Sequence, residues 1–229
     1  MTVKLGVPSK GRLMQKTFDW FARRGVTLSR TGSDREYSGA VSGVDGVALV
    51  LLSAGEIPRE LAAGRIHLGV TGIDLICEKL PLWEQQVAPV AEMGFGHADL
   101  VLAVPAGWTD VALTDDLDAV AAQFRERHGF RLRIATKYHR LVREFLRDVG
   151  VADYQLVDSQ GATEGTVANE TAEAIADITS SGETLRANHL KVLEDGLILA
   201  SQATLWRSRV AEVGDADRPI LRGLLERLG

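Results

Sequence analysis

The sequence predicts an α/β fold with largely parallel β-sheets. Short apolar runs such as Val3 to Val7 and Val47 to Leu52 alternate with helical stretches such as Leu13 to Arg24, and glycine or proline turns separate them. Strands that alternate with helices build parallel sheets, because each crossover helix returns the chain to the same edge. The run from Val47 to Leu52 is apolar throughout, which is typical of an internal strand that is covered on both faces.

Composition excludes several classes of function. The 229 residues are 45% hydrophobic and 25% charged, and the formal net charge of −5 gives no general attraction to nucleic acid or anionic membranes. No apolar run approaches the ~18 residues that a membrane span needs, and the first residues contain no long apolar segment of a secretion signal. A single cysteine, Cys77, suits a reducing compartment. We therefore expect a cytoplasmic protein.

The other elements follow from the same patterns. Pro89 lies inside a predicted strand and places it at an edge or a crossover, because proline cannot donate to a ladder. His67, just before a strand, is expected at the surface, and Leu205 to Val210 is ambiguous. The further predicted strands are Tyr37 to Val41, Val87 to Met93, Leu100 to Val104, Arg133 to Thr136, Tyr154 to Val157 and Leu193 to Ala203. One further helix is predicted to end near Ala63. The other predicted helices are Leu113 to His128, Leu141 to Val149 and Asp217 to Leu228.

The stretch from Glu173 to Leu185 predicts an anion-binding loop. It begins as an apolar strand, reaches Asp177, and breaks into hydroxyl residues and Gly182 before helical spacing resumes. A helix N-terminus favours phosphate, because its N–H groups are unpaired and its dipole is positive there. Gly182 permits a positive φ, and Asp177 can accept hydrogen bonds from sugar hydroxyls. The hydroxyl donors are Ser180, Ser181 and Thr184. A helix that is merely capped by Ser or Thr remains an alternative.

Further strand–helix junctions carry charged residues where α/β sheets usually bind ligands. Lys10 and Arg12 flank Gly11 after the first strand; solvated surface charge is the alternative. Asp74 follows Gly72 at another junction and could instead be a helix cap. The remaining junction residues of interest are Arg59, Lys137, Tyr138 and the segment Gly161 to Thr166.

Taken in order, these motifs resemble the ATP phosphoribosyltransferase family, which catalyses the first step of histidine biosynthesis. The motifs are Pro8-Ser9-Lys10-Gly11-Arg12-Leu13, Ile57-Pro58-Arg59, Gly69-Val70-Thr71-Gly72-Ile73-Asp74, Arg133-Ile134-Ala135-Thr136-Lys137-Tyr138, and Ala176 to Leu185 with Asn188. The last resembles the phosphoribosyl-pyrophosphate (PRPP) loop. The resemblance covers essentially the whole chain and implies a two-domain fold like that of a type II periplasmic binding protein, with the active site in the interdomain cleft. Domain I would hold residues 1–92 and 186–229 on the nucleotide side, and domain II residues 93–185 with the PRPP loop.

The resemblance also implies the chemistry. N1 of the adenine of ATP would displace pyrophosphate from C1 of PRPP, giving phosphoribosyl-ATP. The implied catalytic residues are Arg59, Glu164 and Asp177. The implied PRPP-binding residues are Asp177, Thr179, Ser180, Ser181, Gly182, Glu183 and Thr184. The implied ATP-binding residues are Lys10, Gly11, Arg12, Gly72, Asp74, Lys137 and Tyr138, with the Tyr138 ring able to stack on a base. Mg²⁺ is the expected cofactor, held mainly by substrate oxygens rather than by a protein ligand set.

The chain resembles the short form of the family. That form lacks the C-terminal histidine-binding domain and works in a hetero-oligomer with a histidyl-tRNA-synthetase-like regulatory subunit. We therefore expect histidine to inhibit only when that subunit is present. The chain departs from the family at Val167 and Glu170, where a proline and a glycine are common.

Two other functions fit parts of the sequence. A non-catalytic binding module of the same two-domain fold is opposed by the absence of a secretion signal and by the loop from Asp177 to Thr184. A type I phosphoribosyltransferase, which uses a free base, usually has two acids before the loop, whereas the first position here is Ala176.

Overall fold

The computed structural model describes residues 2–31, 38–159 and 161–229. The chain forms two units, Met1–His97 with Gln202–Gly229 and Ala98–Ser201. Each unit combines one β-sheet with α-helices, which confirms the predicted α/β class. The prediction of largely parallel sheets is wrong, because six of the ten strand pairs formed by the described residues are antiparallel. Within the described ranges, no helix is both long and apolar enough to cross a membrane.

The described residues form the following elements. The strands are β1 (Val3–Pro8), β2 (Thr27–Arg30), β3 (Ser38–Ser42), β4 (Val47–Leu52), β5 (Leu68–Gly72), β6 (Val87–Glu92), β7 (Asp99–Pro105), β8 (Leu132–Thr136), β9 (Tyr154–Asp158), β10 (Ala174–Thr179), β11 (Leu190–Leu199) and β12 (Ala203–Ser208). The helices are α1 (Gly11–Ala22), α2 (Ile57–Ala62), α3 (Ile73–Lys79), α4 (Trp83–Gln86), α5 (Thr114–His128), α6 (His139–Asp148), α7 (Gly165–Ala168), α8 (Glu183–Ala187) and α9 (Arg218–Leu228).

In its described part, the first unit contains a seven-stranded sheet in the order β2-β3-β4-β1-β5-β12-β6. Strand β1 runs parallel to β4 and β5, so the carboxyl ends of these strands share one edge. The two faces of the sheet are covered separately, since the neighbours Leu205 and Trp206 belong to different buried clusters. Strand β6 is an edge strand, which confirms the prediction made from Pro89.

His67 is buried, so its predicted place at the surface is wrong. The residue is 8% exposed, and its Nδ1 accepts a hydrogen bond of 2.9 Å from the Lys4 N–H. An Nδ1 that accepts leaves the proton on Nε2, which lies 3.2 Å from the Glu212 carbonyl oxygen. The imidazole thus joins β1 to the segment after β12, a contact between distant parts of the chain that local pattern does not reveal.

In its described part, the second unit contains a five-stranded sheet in the order β11-β7-β10-β8-β9. Strands β10, β8 and β9 are parallel, whereas β7 is antiparallel to both β10 and β11. Leu185 of α8 is 4% exposed and belongs to a buried cluster with Val101 and Ile175. This packing anchors the short helix after β10 to the sheet.

The division of the chain differs from the expected one. The first boundary falls after His97 rather than residue 92, and the second after Ser201 rather than residue 185. The predicted strand Leu193 to Ala203 ends too late, because β11 stops at Leu199 and Ala203 is the first residue of β12. Strand β11 pairs with β7, whereas β12 pairs with β5 and β6. The hydrogen bonds of β11 therefore keep residues 190–199 with the second sheet.

Candidate active site

Strand β10 carries Asp177 to the carboxyl edge of the parallel part of the second sheet. The residue is 8% exposed, and its Oδ1 accepts a hydrogen bond of 2.8 Å from the Ile178 N–H. Lys137, directly after β8, places its Nζ 3.5 Å from the same oxygen. Among the residues that the structure describes, no group donates to Oδ2. This oxygen can therefore accept a hydrogen bond from a ligand.

The strand register explains why Asp177 and Lys137 meet. Ala176 of β10 pairs with Thr136 of β8, and Thr136 pairs with Asp158 of β9. The residues that follow Ala176 and Thr136 lie at the same level of the sheet. Side chains at one level of a parallel sheet point to the same face, because successive side chains alternate along each strand.

The predicted anion loop has the geometry that the sequence indicates. Gly182 takes a φ of +70°, and its N–H donates a hydrogen bond of 2.8 Å to Thr179 Oγ1. Helix α8 has Gly182 at its N-cap and no side-chain cap bond. The nearest such contact joins the Glu183 N–H to Ser181 Oγ at 3.4 Å. The N-cap of α8 is thus Gly182, and no Ser or Thr side chain caps this helix.

Arg186 was not among the predicted site residues, yet it folds back onto this loop. Its Nη2 donates a hydrogen bond of 3.1 Å to the Ser181 carbonyl oxygen. A Cβ placed on Gly182 would lie 2.9 Å from Arg186 Nη1. The sequence signal was the spacing of four residues between Gly182 and Arg186, about one helical turn, and the Arg186 N–H donates to the Gly182 carbonyl oxygen at 3.0 Å.

Tyr138 does not fit its expected role in base stacking. The residue is 4% exposed, and its N–H donates a hydrogen bond of 3.0 Å to Thr136 Oγ1, where the chain turns from β8 into α6. Stacking on a base requires an accessible ring face. The structure instead uses the tyrosine as a buried residue at the start of the helix.

Glu164 lies at the N-cap of α7, in the segment that follows β9. The loop before it is fixed by a hydrogen bond of 3.1 Å between Ser159 Oγ and Thr163 Oγ1. Strand β8 separates β9 from β10, so the ends of these strands lie about 10 Å apart at two strand spacings. Glu170, which stands where the family commonly has glycine, has a φ of +56°.

The first unit brings the other predicted residues to one edge of its sheet. Lys10, Gly11 and Arg12 follow β1, and Gly72 and Asp74 follow the neighbouring parallel strand β5. Lys10 and Arg12 are exposed, as is Arg59 in the first turn of α2. Asp74 is 6% exposed and lies inside the first turn of α3, whose N-cap is Gly72. It is therefore not the N-cap.

A local acid orders the turn between β4 and α2. The Ser53 N–H donates a hydrogen bond of 2.9 Å to Glu56 Oε2. Hydrogen bonds from the Ser53 side chain and backbone lower the pKa of the Glu56 carboxyl below its ordinary value. The turn that leads to Arg59 is thus held by a carboxylate that remains ionised near neutral pH.

Known proteins with similar sequences share one activity name. A family model described as ATP phosphoribosyltransferase matches residues 53–229. The chain is 74% identical over 219 residues to an ATP phosphoribosyltransferase of Cereibacter sphaeroides, covering 96% of this chain and 93% of that protein. It is 50% identical over 224 residues to one of Rhodopseudomonas palustris, covering 98% of this chain and 69% of that protein.

Solved structures agree on the fold. The ATP phosphoribosyl transferase (HisG:HisZ) complex from Thermotoga maritima contains a chain that matches with a TM-score of 0.74 at 22% identity, covering 99% of this chain and 96% of that chain. A periplasmic transporter matches with a TM-score of 0.52 at 13% identity, covering 99% and 80%. The expected likeness to periplasmic binding proteins is confirmed at the level of fold. The chain belongs to the ATP phosphoribosyltransferase family, the pentosyltransferases of the first step of histidine biosynthesis.

Proposed function

We propose that this chain transfers the phosphoribosyl group of PRPP to N1 of the adenine of ATP, with the two carboxyl edges described above as its substrate-binding surfaces. The observation that carries the proposal is the passage of β10 through Asp177 into the loop at Gly182. A carboxylate oxygen with no donor among the described residues thus precedes the N-terminus of α8. PRPP carries ribose hydroxyls and a 5′-phosphate, which a carboxylate and a helix N-terminus would bind.

The PRPP subsite lies in the second unit. The loop from Thr179 to Thr184 would hold the 5′-phosphate with backbone N–H groups and hydroxyls. The hydroxyls of Ser180 and Thr184 have no hydrogen-bond partner among the described residues and are exposed. Asp177 and Glu164 would accept hydrogen bonds from the ribose hydroxyls. Glu183, at the first position of α8, lies beside this loop.

The ATP subsite and the cations for pyrophosphate lie on the carboxyl edge of the first sheet. Lys10, Arg12 and Arg59 are exposed there and would neutralise phosphate oxygens. Gly11 has a φ of +75° and Gly72 opens α3, so both lie at turns where the backbone can approach a nucleotide. Asp74 would fix the orientation of the nucleotide from the first turn of α3.

Catalysis in this proposal needs no activated side-chain nucleophile. Adenine N1 carries a lone pair near neutral pH, so the protein must align it with C1 and stabilise the charge that develops. The carboxylates of Asp177 and Glu164 oppose the positive charge that grows on the ribose as pyrophosphate leaves. Arg59 and its neighbouring cations oppose the negative charge on the leaving group.

Mg²⁺ fits the oxygen donors of the proposed site. Asp177 offers a hard carboxylate oxygen, the ligand type that Mg²⁺ prefers, and no group of three or more metal-binding side chains is found in the described residues. Asp177 and Glu164 would contribute at most one or two ligands, with substrate oxygens and water supplying the others. When bound, Mg²⁺ neutralises pyrophosphate oxygens and helps them to leave.

We further propose that the chain assembles with a regulatory subunit in the cytoplasm. The support is the Thermotoga maritima structure, which is a complex of a similarly folded chain with HisZ. Co-expression with a HisZ-type chain from the same genome, followed by size-exclusion chromatography with light scattering, should give one hetero-oligomeric species. Two separate peaks would contradict the proposal.

The reaction is tested by pyrophosphate release. The purified chain receives PRPP and Mg²⁺ with ATP, or instead with adenine, guanine, hypoxanthine or orotate. Release with ATP alone supports the proposed function. Release with a free base indicates a type I phosphoribosyltransferase, and PRPP binding without release under any condition indicates a binding module.

A further inference from the structure

The ion pair between Lys137 and Asp177 joins a residue expected to bind ATP to a residue expected to bind PRPP. The sequence motifs assign Lys137 to ATP and Asp177 to PRPP, yet Nζ and Oδ1 lie 3.5 Å apart. We propose that Lys137 is a positioning residue of the PRPP subsite and acts through the carboxylate of Asp177. This inference rests on the proposed function and deepens it.

The contacts of Asp177 divide its two oxygens. Oδ1 faces both the Ile178 N–H and the Lys137 ammonium. Oδ2 has no donor among the described residues and is left for a ligand. An ionised carboxylate can only accept hydrogen bonds, and ribose hydroxyls donate them. Lys137 thus fixes which oxygen of the acid meets the sugar.

The exposure of the two side chains supports this order of roles. The Asp177 side chain is 10% exposed and the Lys137 side chain 41%. The carboxylate is therefore part of the wall of the site, while the ammonium remains in contact with water. Half-exposed ion pairs contribute little to folding, so a purely structural role explains little of this contact.

The alternatives for Lys137 leave Asp177 poorly held. Within the described ranges, no other cation lies within ion-pair distance of Asp177, and no other carboxylate within that distance of Lys137. If the ammonium moved to an ATP phosphate, the carboxylate would keep only the N–H of its own neighbour. Orientation of Asp177 would then be lost when ATP binds, although the proposed reaction needs both substrates together.

The test separates the KM values of the two substrates. Lys137→Met should raise the KM for PRPP about tenfold, the effect of losing one charge-assisted contact, and leave the KM for ATP unchanged. Lys137→Arg should restore most of the PRPP affinity. Lys191→Met is the matched control, because Lys191 is a partly buried lysine of the same unit. It pairs with Val104 at one end of β7, whereas Thr179 of the anion loop pairs with Asp99 at the other end.

A double-mutant cycle identifies the residue through which Lys137 acts. In an Asp177→Asn background, Lys137→Met should change the PRPP dissociation constant, measured by calorimetry without ATP, by much less than tenfold. If only the KM for ATP rises, the inference is overturned and Lys137 is instead an ATP-binding residue. Additive effects in the cycle, or unchanged KM values for both substrates, would also overturn it. Failure of the proposed function is seen separately, as a wild-type chain that releases no pyrophosphate from PRPP and ATP.

Discussion

The Gly182 N–H donates its hydrogen bond to Thr179 Oγ1 over 2.8 Å, so the last residue of β10 closes the loop that precedes α8. The acceptor is a side-chain hydroxyl, whereas in an ordinary strand–helix turn this N–H would donate to a backbone carbonyl or to water. Gly182 then takes a φ of +70° and leads the chain into α8. The shape of the proposed phosphate site therefore depends on this glycine.

Gly182→Val should abolish measurable PRPP affinity while the protein stays folded. A residue with Cβ in the left-handed region costs about 1–2 kcal/mol, and this Cβ would also displace the Arg186 guanidinium, whose Nη1 lies 2.9 Å from it. Calorimetric titration with PRPP measures the loss. Gly150→Val is the matched control, because Gly150 has a φ of +83° with nothing within 4 Å of its Cβ position. Equal PRPP affinity in the two variants would count against the loop assignment.

Asp177→Asn should weaken the use of PRPP and spare ATP. A hydrogen bond to a charged group contributes about 1.5–3 kcal/mol, so kcat/KM for PRPP should fall roughly 10- to 150-fold. Steady-state kinetics with each substrate varied in turn measures the effect. Asp148→Asn, an exposed carboxyl at the end of α6, serves as control. A folded Asp177→Asn protein with normal PRPP kinetics would remove this residue from the site.

The stability of the second unit should depend on the ionisation of Asp116. Its Oδ2 accepts hydrogen bonds from the N–H groups of Ala112 and Leu113, each at 2.9 Å. The bond from Leu113, and after it the bond from Ala112, lowers the pKa of the carboxyl below its ordinary value of 3.8. A carboxyl with a lowered pKa in the folded state adds stability above its unfolded pKa. That contribution is lost as the pH falls below 3.8 toward the folded value.

Comparison of wild type with Asp116→Asn across pH measures this contribution. The wild type should have the higher Tm at neutral pH, and the difference should shrink as the pH falls below 3.8. Asp115→Asn is the control, because Asp115 lies in the same first turn of α5 and makes no such hydrogen bonds among the described residues. A Tm difference for Asp116→Asn that is constant with pH would disprove the role of its charge.

The sequence predicted the alternation of elements and the anion loop because both depend on local pattern. The apolar run before Asp177 and the glycine after the hydroxyls are visible within a dozen residues. The burial of His67 and of Tyr138 was not predicted, because each depends on partners that tertiary structure supplies. The contact of Lys137 with Asp177 also needed the strand register, which a single sequence does not contain.

The second domain boundary shows the same limit. The residues from Leu193 to Ala203 were predicted as one long strand, with no break between them. The break occurs because β11 finds its hydrogen-bond partner in β7 and β12 finds its partners in β5 and β6. Pairing of this kind is decided by distant residues. The family resemblance implied a return to the first domain after about residue 185, whereas the first unit resumes at Gln202.

Glu170→Gly should stabilise the protein. Glu170 is held at a φ of +56° by its N–H, which donates to the Val167 carbonyl oxygen at 3.1 Å, and by its carbonyl oxygen, which accepts from Arg133 Nη2 at 2.9 Å. Both are backbone groups that glycine retains.

Glycine at position 170 removes about 1–2 kcal/mol of left-handed strain and costs about 0.5–1 kcal/mol in backbone entropy. The net gain should be up to about 1.5 kcal/mol in the free energy of unfolding, measured by urea denaturation. Asn169→Gly, at a φ of −89° next to it, should have the opposite sign, because the entropy cost is then not offset. If both variants lose stability equally, the left-handed backbone at Glu170 carries no strain that glycine relieves.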